Sequence, residues 1–148
     1  MEVRSLQPYD LTRARRFALV AASAATLSAP LPAAAASGVS IELNRLEARD
    51  QSCRVSLVVA NPGDKAMDSL KLDLVFFDKD GVISRRLAVE AGPVRASKTS
   101  VKLFDASDTP CDGLSRVLLN DVTACGGAED CLSMVSTSSR VKGVEFAK

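Results

Sequence analysis

The sequence predicts an all-β fold, an immunoglobulin-like antiparallel sandwich of about seven strands. Three observations predict it. Apolar residues recur with a period of two, so that successive side chains face opposite sides of a sheet. Turn residues punctuate the chain at intervals of about 8–15 positions, as the short strands of a sandwich require. Four cysteines stand in a chain of 148 residues that holds no histidine and no tryptophan, a composition suited to a small, sulfur-stapled domain.

Residues 1–36 read as an address and residues 37–148 as the sandwich. Arg13, Arg15 and Arg16 precede an apolar stretch that runs from Phe17 to about Leu31, and Ala33-Ala34-Ala35-Ala36 follows. A basic start, an apolar middle and small residues at the Ala34 and Ala36 spacing describe a cleavable secretory signal. Ser23, Thr26, Ser28, Pro30 and Pro32 interrupt the apolar stretch, which falls short of the ~20 residues of a membrane span. Arg15-Arg16 invites a twin-arginine reading. However, Ala14 stands where Ser or Thr is usual and Phe17 follows the pair directly, so twin-arginine and general secretion both stay open. Either route delivers the chain to the periplasm or outside, with no stable membrane span after cleavage. Removal of this segment takes away four arginines, Glu2 and Asp10, leaving 15 basic and 16 acidic residues of the original 19 and 18. A balance so close to neutral, with no run of like charge, is a poor match for nucleic acid or an anionic membrane surface.

The first strand is expected over 39–46, where Ile41 and Leu43 alternate with polar neighbours. The second, 52–60, alternates Cys53, Val55, Leu57 and Val59 with Ser52, Arg54, Ser56 and Val58, and Asn61-Pro62-Gly63-Asp64 ends it. The third, 68–77, alternates Leu70, Leu72, Leu74 and Phe76 with Lys71, Asp73, Val75 and Phe77. Asp78-Lys79-Asp80-Gly81 then favours a hairpin into 82–89, because Asp-Gly accepts the positive φ of a tight turn. Gly92-Pro93 closes that run. In 98–104, Val101 and Leu103 flank Lys102 and are expected on the core face. Val117, Leu118 and Leu119 are consecutive, so 114–123 reads as a central strand covered on both sides. Residues 129–135 suit a helical turn or a loop, and Val141, Val144 and Phe146 a last strand over 140–147.

The stretch from Asp68 to Val82, together with Val58-Val59-Ala60-Asn61 before it, resembles the small exported domains of the FxLYD type: a strand ending in Asn, an alternating strand, Asp-x-x-Gly, then another strand. Residues 84–90 and 98–105 are also similar to uncharacterised exported proteins of alphaproteobacteria that carry a twin-arginine-type signal. The resemblance spans about residues 39–125. It implies an immunoglobulin-like fold and a periplasmic location, and it implies no activity.

Cys53, Cys111, Cys125 and Cys131 allow three pairings. In a sandwich the second and sixth strands face each other across the core. Cys53 starts one and Cys111 immediately precedes the other, which favours Cys53–Cys111 and leaves Cys125–Cys131 to close a short Gly-Gly loop. Loop-closure entropy assigns about 4 kcal/mol to the long bridge and about 2 kcal/mol to the short one. No C-x-x-C occurs, and the spacings of 57, 13 and 5 intervening residues match neither zinc ribbons nor thioredoxin-like motifs.

The sequence offers no catalytic residues and no cofactor or metal site. A triad lacks its imidazole, and no S-x-x-K accompanies a nucleophile-elbow pattern. Asp78 could open a calcium loop, but position twelve is Val89 rather than a closing Glu. Asp73, Asp78 and Asp80 fall on a strand face and a turn, where solvated charge is the ordinary explanation. The candidate surface is Val75 and Phe77 beside Arg85 and Arg86, since exposed aromatics and arginines are enriched where proteins meet. The expected function is a non-enzymatic binding or assembly module that docks to another envelope protein or to itself. The alternative is a periplasmic thiol-redox or metal-handling factor using the cysteines, with Met67 and Met134 as further soft ligands.

Overall fold

A computed structural model describes residues 38–126 and 129–148. The expected signal, with Arg15, Arg16, Ala34 and Ala36, lies outside the described residues. Eight strands follow one another: β1 Val39–Arg49, β2 Ser52–Asn61, β3 Lys71–Asp78, β4 Ile83–Glu90, β5 Lys98–Ser107, β6 Leu114–Ala124, β7 Val135–Ser139 and β8 Glu145–Ala147. A single 3-10 turn, Cys111–Gly113, leads into β6. The strands form two four-stranded sheets, ordered β5-β2-β1-β7 and β4-β3-β6-β8, which makes the molecule a β-sandwich.

The alternating residues build the core as their period demands. Ile41, Leu43, Cys53, Val55, Leu57 and Val59 from the first sheet meet Leu70, Leu72, Leu74, Phe76, Val117 and Leu119 on the second, all buried. Strand β6 lies between β3 and β8, in keeping with its double apolar pattern. Gly92 backs onto the Ser69–Leu70 backbone so closely that a Cβ would collide with it, so the run after β4 ends on a residue without a side chain.

Four expectations need correction. The sandwich has eight strands instead of about seven, and it is not wholly antiparallel: β7 joins β1 and β8 joins β6, both in parallel. The expected last strand at 140–147 is only Glu145–Ala147, because the chain first adds β7 to the opposite sheet and then crosses over. Ser139 makes that crossover, its Oγ donating to the Val144 carbonyl at 2.6 Å and accepting from the Val141 N–H at 3.2 Å. The third strand begins at Lys71 rather than 68, since Met67 is diverted into an isolated bridge with Val94. Finally, Val101 and Leu103 point outward. Strand β5 pairs with β2 so that Ala106 lies opposite Cys53 and Phe104 opposite Val55, and those partners face the core. The even positions of β5 therefore turn inward, Lys102 among them.

Candidate binding surface

Turns and bridges fix the edges of this sandwich before any site can form on them. Asp78 Oδ1 accepts from the N–H groups of Asp80 at 3.0 Å and Val82 at 2.8 Å, and Gly81 takes a φ of 77°, so the expected hairpin starts β4. Buried Asn61 ties the far end. Its amide nitrogen donates to the carbonyls of Lys65 at 2.8 Å and Arg95 at 3.2 Å, while its oxygen accepts from Gly63 N–H at 3.1 Å. That bond set holds the loop after β2 to the segment that leads into β5. Cys53 and Cys111 are joined, with Cα atoms 4.9 Å apart, which links β2 in one sheet to the turn before β6 in the other. Cys125 and Cys131 are joined at 5.6 Å across the loop after β6.

The structure brings three of the four expected patch residues to one face. Val75 lies on the outer side of the second sheet, opposite Arg86 on β4 and Leu118 on β6. It is only 6% exposed. Phe77 is half-buried beneath Arg116, whose guanidinium carbon stands 4.1 Å from the ring centroid, a cation–π arrangement. Arg86 forks onto Asp73 through Nε at 2.8 Å and Nη2 at 2.7 Å. Arg85 is not with them. It lies opposite Phe76, a core residue, and therefore on the inner side of β4, reaching Asp108 at 3.7 Å. Adjacent residues in a strand cannot share a face.

Asp73 is the charged group the sequence left as solvated and the structure buries. It accepts from Asn120 Nδ2 at 2.6 Å in addition to the Arg86 fork. The Arg86 hydrogen bonds hold its carboxyl below the ordinary value of 3.8 against the opposing effect of burial, with Asn120 helping. On the outer face of the other sheet Arg54 forks onto Asp105 at 2.8 and 2.9 Å, which lowers the Asp105 pKa. Glu42 is likewise lowered, first by its hydrogen bond from Asn44 and then by Arg140. These pairs place mutually satisfied charge on both outer faces.

The unsatisfied apolar surface lies elsewhere, at one pair of edges. Val82, Ile83, Val101 and Leu103 are each exposed by 60% or more. Val82 immediately precedes β4 and Ile83 opens it, the other two lie on β5, and these strands are neighbouring edges of the two sheets. A cleft of about 260 Å³ separates them, with Leu87, Val89, Lys102 and Phe104 in its walls. Sequence reasoning missed Val101 and Leu103 as surface residues because both parities of β5 carry apolar side chains. The signal that could have corrected it is Ala106, which must share a face with Phe104.

Two further hollows sit at the ends of the sandwich. One, of about 770 Å³, has Leu46, Leu114 and Val144 in its lining and Lys79 and Lys142 beside them, next to Cys111. The other, of about 340 Å³, brings Met67 and Met134 into one lining with Cys125. Among the described residues no group of three acidic, cysteine or histidine side chains is arranged to hold a metal ion, and no helix is long and apolar enough to cross a membrane.

Two facing four-stranded sheets, with a disulfide from β2 of one to the turn before β6 of the other, make an immunoglobulin-like β-sandwich. Among solved structures it is similar to IrmA from Escherichia coli, with a TM-score of 0.53 and 14% identity, covering 68% of this chain and 90% of that one. At that identity the likeness is one of fold. No family model and no curated protein matches the chain.

Proposed function

We propose that the protein is an exported binding or assembly module of the periplasm or cell exterior, delivered by a cleaved signal at residues 1–36, whose work is done by contact and not by catalysis. One observation carries the reading: the large apolar side chains left in water, Val82 and Ile83 at the start of β4 and Val101 and Leu103 on β5, lie as two pairs on the neighbouring edge strands of the two sheets. Exposed large apolar residues mark interaction sites, and sheet edges add unpaired main-chain groups for a partner to use. The two disulfides accord with an oxidising compartment. A photo-cross-linking residue placed at Leu103 or Ile83 in cells tests the proposal. Discrete adducts are expected from these positions and none from Ser138 on β7; equal labelling at all three would overturn it. Thiol titration of the native protein separates the thiol-redox alternative, for which a free or readily reduced pair is required.

A further inference from the structure

We infer that β5 is the seam of a symmetric dimer, in which a second copy of this chain lays its own β5 antiparallel against the first and continues the β5-β2-β1-β7 sheet. The inference rests on the edge-binding reading above and names its partner.

Edge geometry is the first ground. Strand β5 pairs with β2 over ten consecutive positions with no register shift and contains no proline. Its free side is therefore a regular row of N–H and C=O groups. The other edges are less able to pair: β7 has five residues, β8 three, and β4 carries an irregularity against β3 near Phe77. Natural edges are commonly blunted by shortness, bulges, proline or charge; β5 has no bulge and no proline, and the inward charge it does carry, Lys102, is tied back to the Gly92 carbonyl.

Self-complementarity is the second. Two strands that extend one sheet must match outward residues with outward residues, so the two-fold axis passes through a residue rather than between two. With the axis at Lys102, Val101 lies opposite Leu103 of the second copy, and Leu103 opposite its Val101. Val58, the β2 neighbour of Val101, widens this into one apolar stripe across the seam. Both outward residues lose part of the exposure they have in a single copy.

Charge selects the direction. The chain enters β5 through Arg95 and Lys98 and leaves it through Asp105 and Asp108. Antiparallel pairing sets the basic end of each strand beside the acidic end of the other, where Asp105 and Asp108 already hold Arg54 and Arg85 of their own copy, whereas parallel pairing would set like beside like. The one unfavourable contact is Lys102 against its own copy. Its side chain turns to the inner face, where Nζ donates to the Gly92 carbonyl at 3.3 Å.

The test is the mass in solution of the full chain as its host processes it, by light scattering over a concentration series, together with hydrogen exchange of the β5 amides. Twice the monomer mass is expected at tens of micromolar, with β5 protection that rises with concentration. Leu103→Lys should weaken association about tenfold or more, since it sets a charge in place of the apolar contact with Val101 of the second copy. Because Leu103 is exposed in one copy, the variant keeps its fold, and the hydrogen exchange of the wild type reads the seam without any variant. Mixed Val101→Cys and Leu103→Cys proteins should cross-link faster than either alone. A monomer with concentration-independent exchange, or a dimer indifferent to Leu103→Lys, overturns the dimer. If adducts to a different protein then persist at Leu103, the edge-binding reading stands with another partner; if they are absent too, both readings fall.

Discussion

Asp73 shows how a charge becomes structural when its neighbours complete it. Its carboxylate sits in mid-sheet, accepts three hydrogen bonds from Arg86 and Asn120, and titrates below its ordinary value of 3.8. A depressed folded-state pKa contributes stability that is fully present above the unfolded value and is lost as pH falls through the folded one. Asp73→Asn should therefore lower the melting temperature at pH 7 by about 4 °C or more. The gap to wild type should begin to narrow as pH falls through the unfolded-state value of about 4, and it should close only below the lowered folded-state value, where the native carboxyl also protonates. Thermal melts at the two pH values check the sign; a gap that widens in acid would contradict it. Asn61 acts through neutral bonds. Asn61→Ala strands two carbonyls and an N–H in a half-buried turn, and a loss of about 1–3 kcal/mol is expected in urea unfolding, without pH dependence.

Strand β5 is the element whose alternation reads either way from sequence. Val101, Leu103, Phe104 and Ala106 place apolar side chains on both parities. Its partner decides: Cys53 opposite Ala106 and Val55 opposite Phe104 turn the even residues inward. The consequence is measurable within one chain. Leu103→Ala should stay within about 0.5 kcal/mol of wild type when measured at concentrations where copies are separate. Phe104→Ala, which removes a ring packed on the core, should cost about 2–3 kcal/mol, less than a fully enclosed aromatic. Reversed magnitudes would restore the expectation that Val101 and Leu103 face the core. The C-terminal strands teach a related lesson. Val141, Val144 and Phe146 marked an apolar end, but nothing in their spacing says that β7 adds to one sheet and β8 to the other.

For the molecule as a whole, the Cys53–Cys111 bridge matters most, because it ties the two sheets across 58 residues of sequence. Replacing both cysteines by alanine should cost about 4 kcal/mol, and replacing Cys125 and Cys131 about 2 kcal/mol, by the loop-closure estimate. For a domain with a total stability of about 5–15 kcal/mol, the first change alone leaves a small margin. Denaturant midpoints for the two double variants should rank in that order. The native chain should weigh four hydrogens less than its reduced form. The outer faces hold Arg86–Asp73, Arg54–Asp105 and Arg140–Glu42, which satisfy one another.

Much of this architecture is written in the order of the residues. Period-two alternation in 52–60 and 70–76 fixes which side chains fill the core, because a strand turns successive residues to opposite faces whatever surrounds it. Asp-x-x-Gly fixes the β3–β4 hairpin, since Gly81 alone accepts the needed φ there. Cysteine positions relative to the second and sixth strands favour the pairing found. What only the tertiary structure decided is which face wins where both are apolar, and which neighbours a charge meets. The phase of β5, the inward turn of Arg85, the burial of Asp73 and the crossing of the C-terminal segment all depend on contacts between residues distant in sequence. A local pattern carries the period of a strand, but its phase and its partners are properties of the sheet it joins.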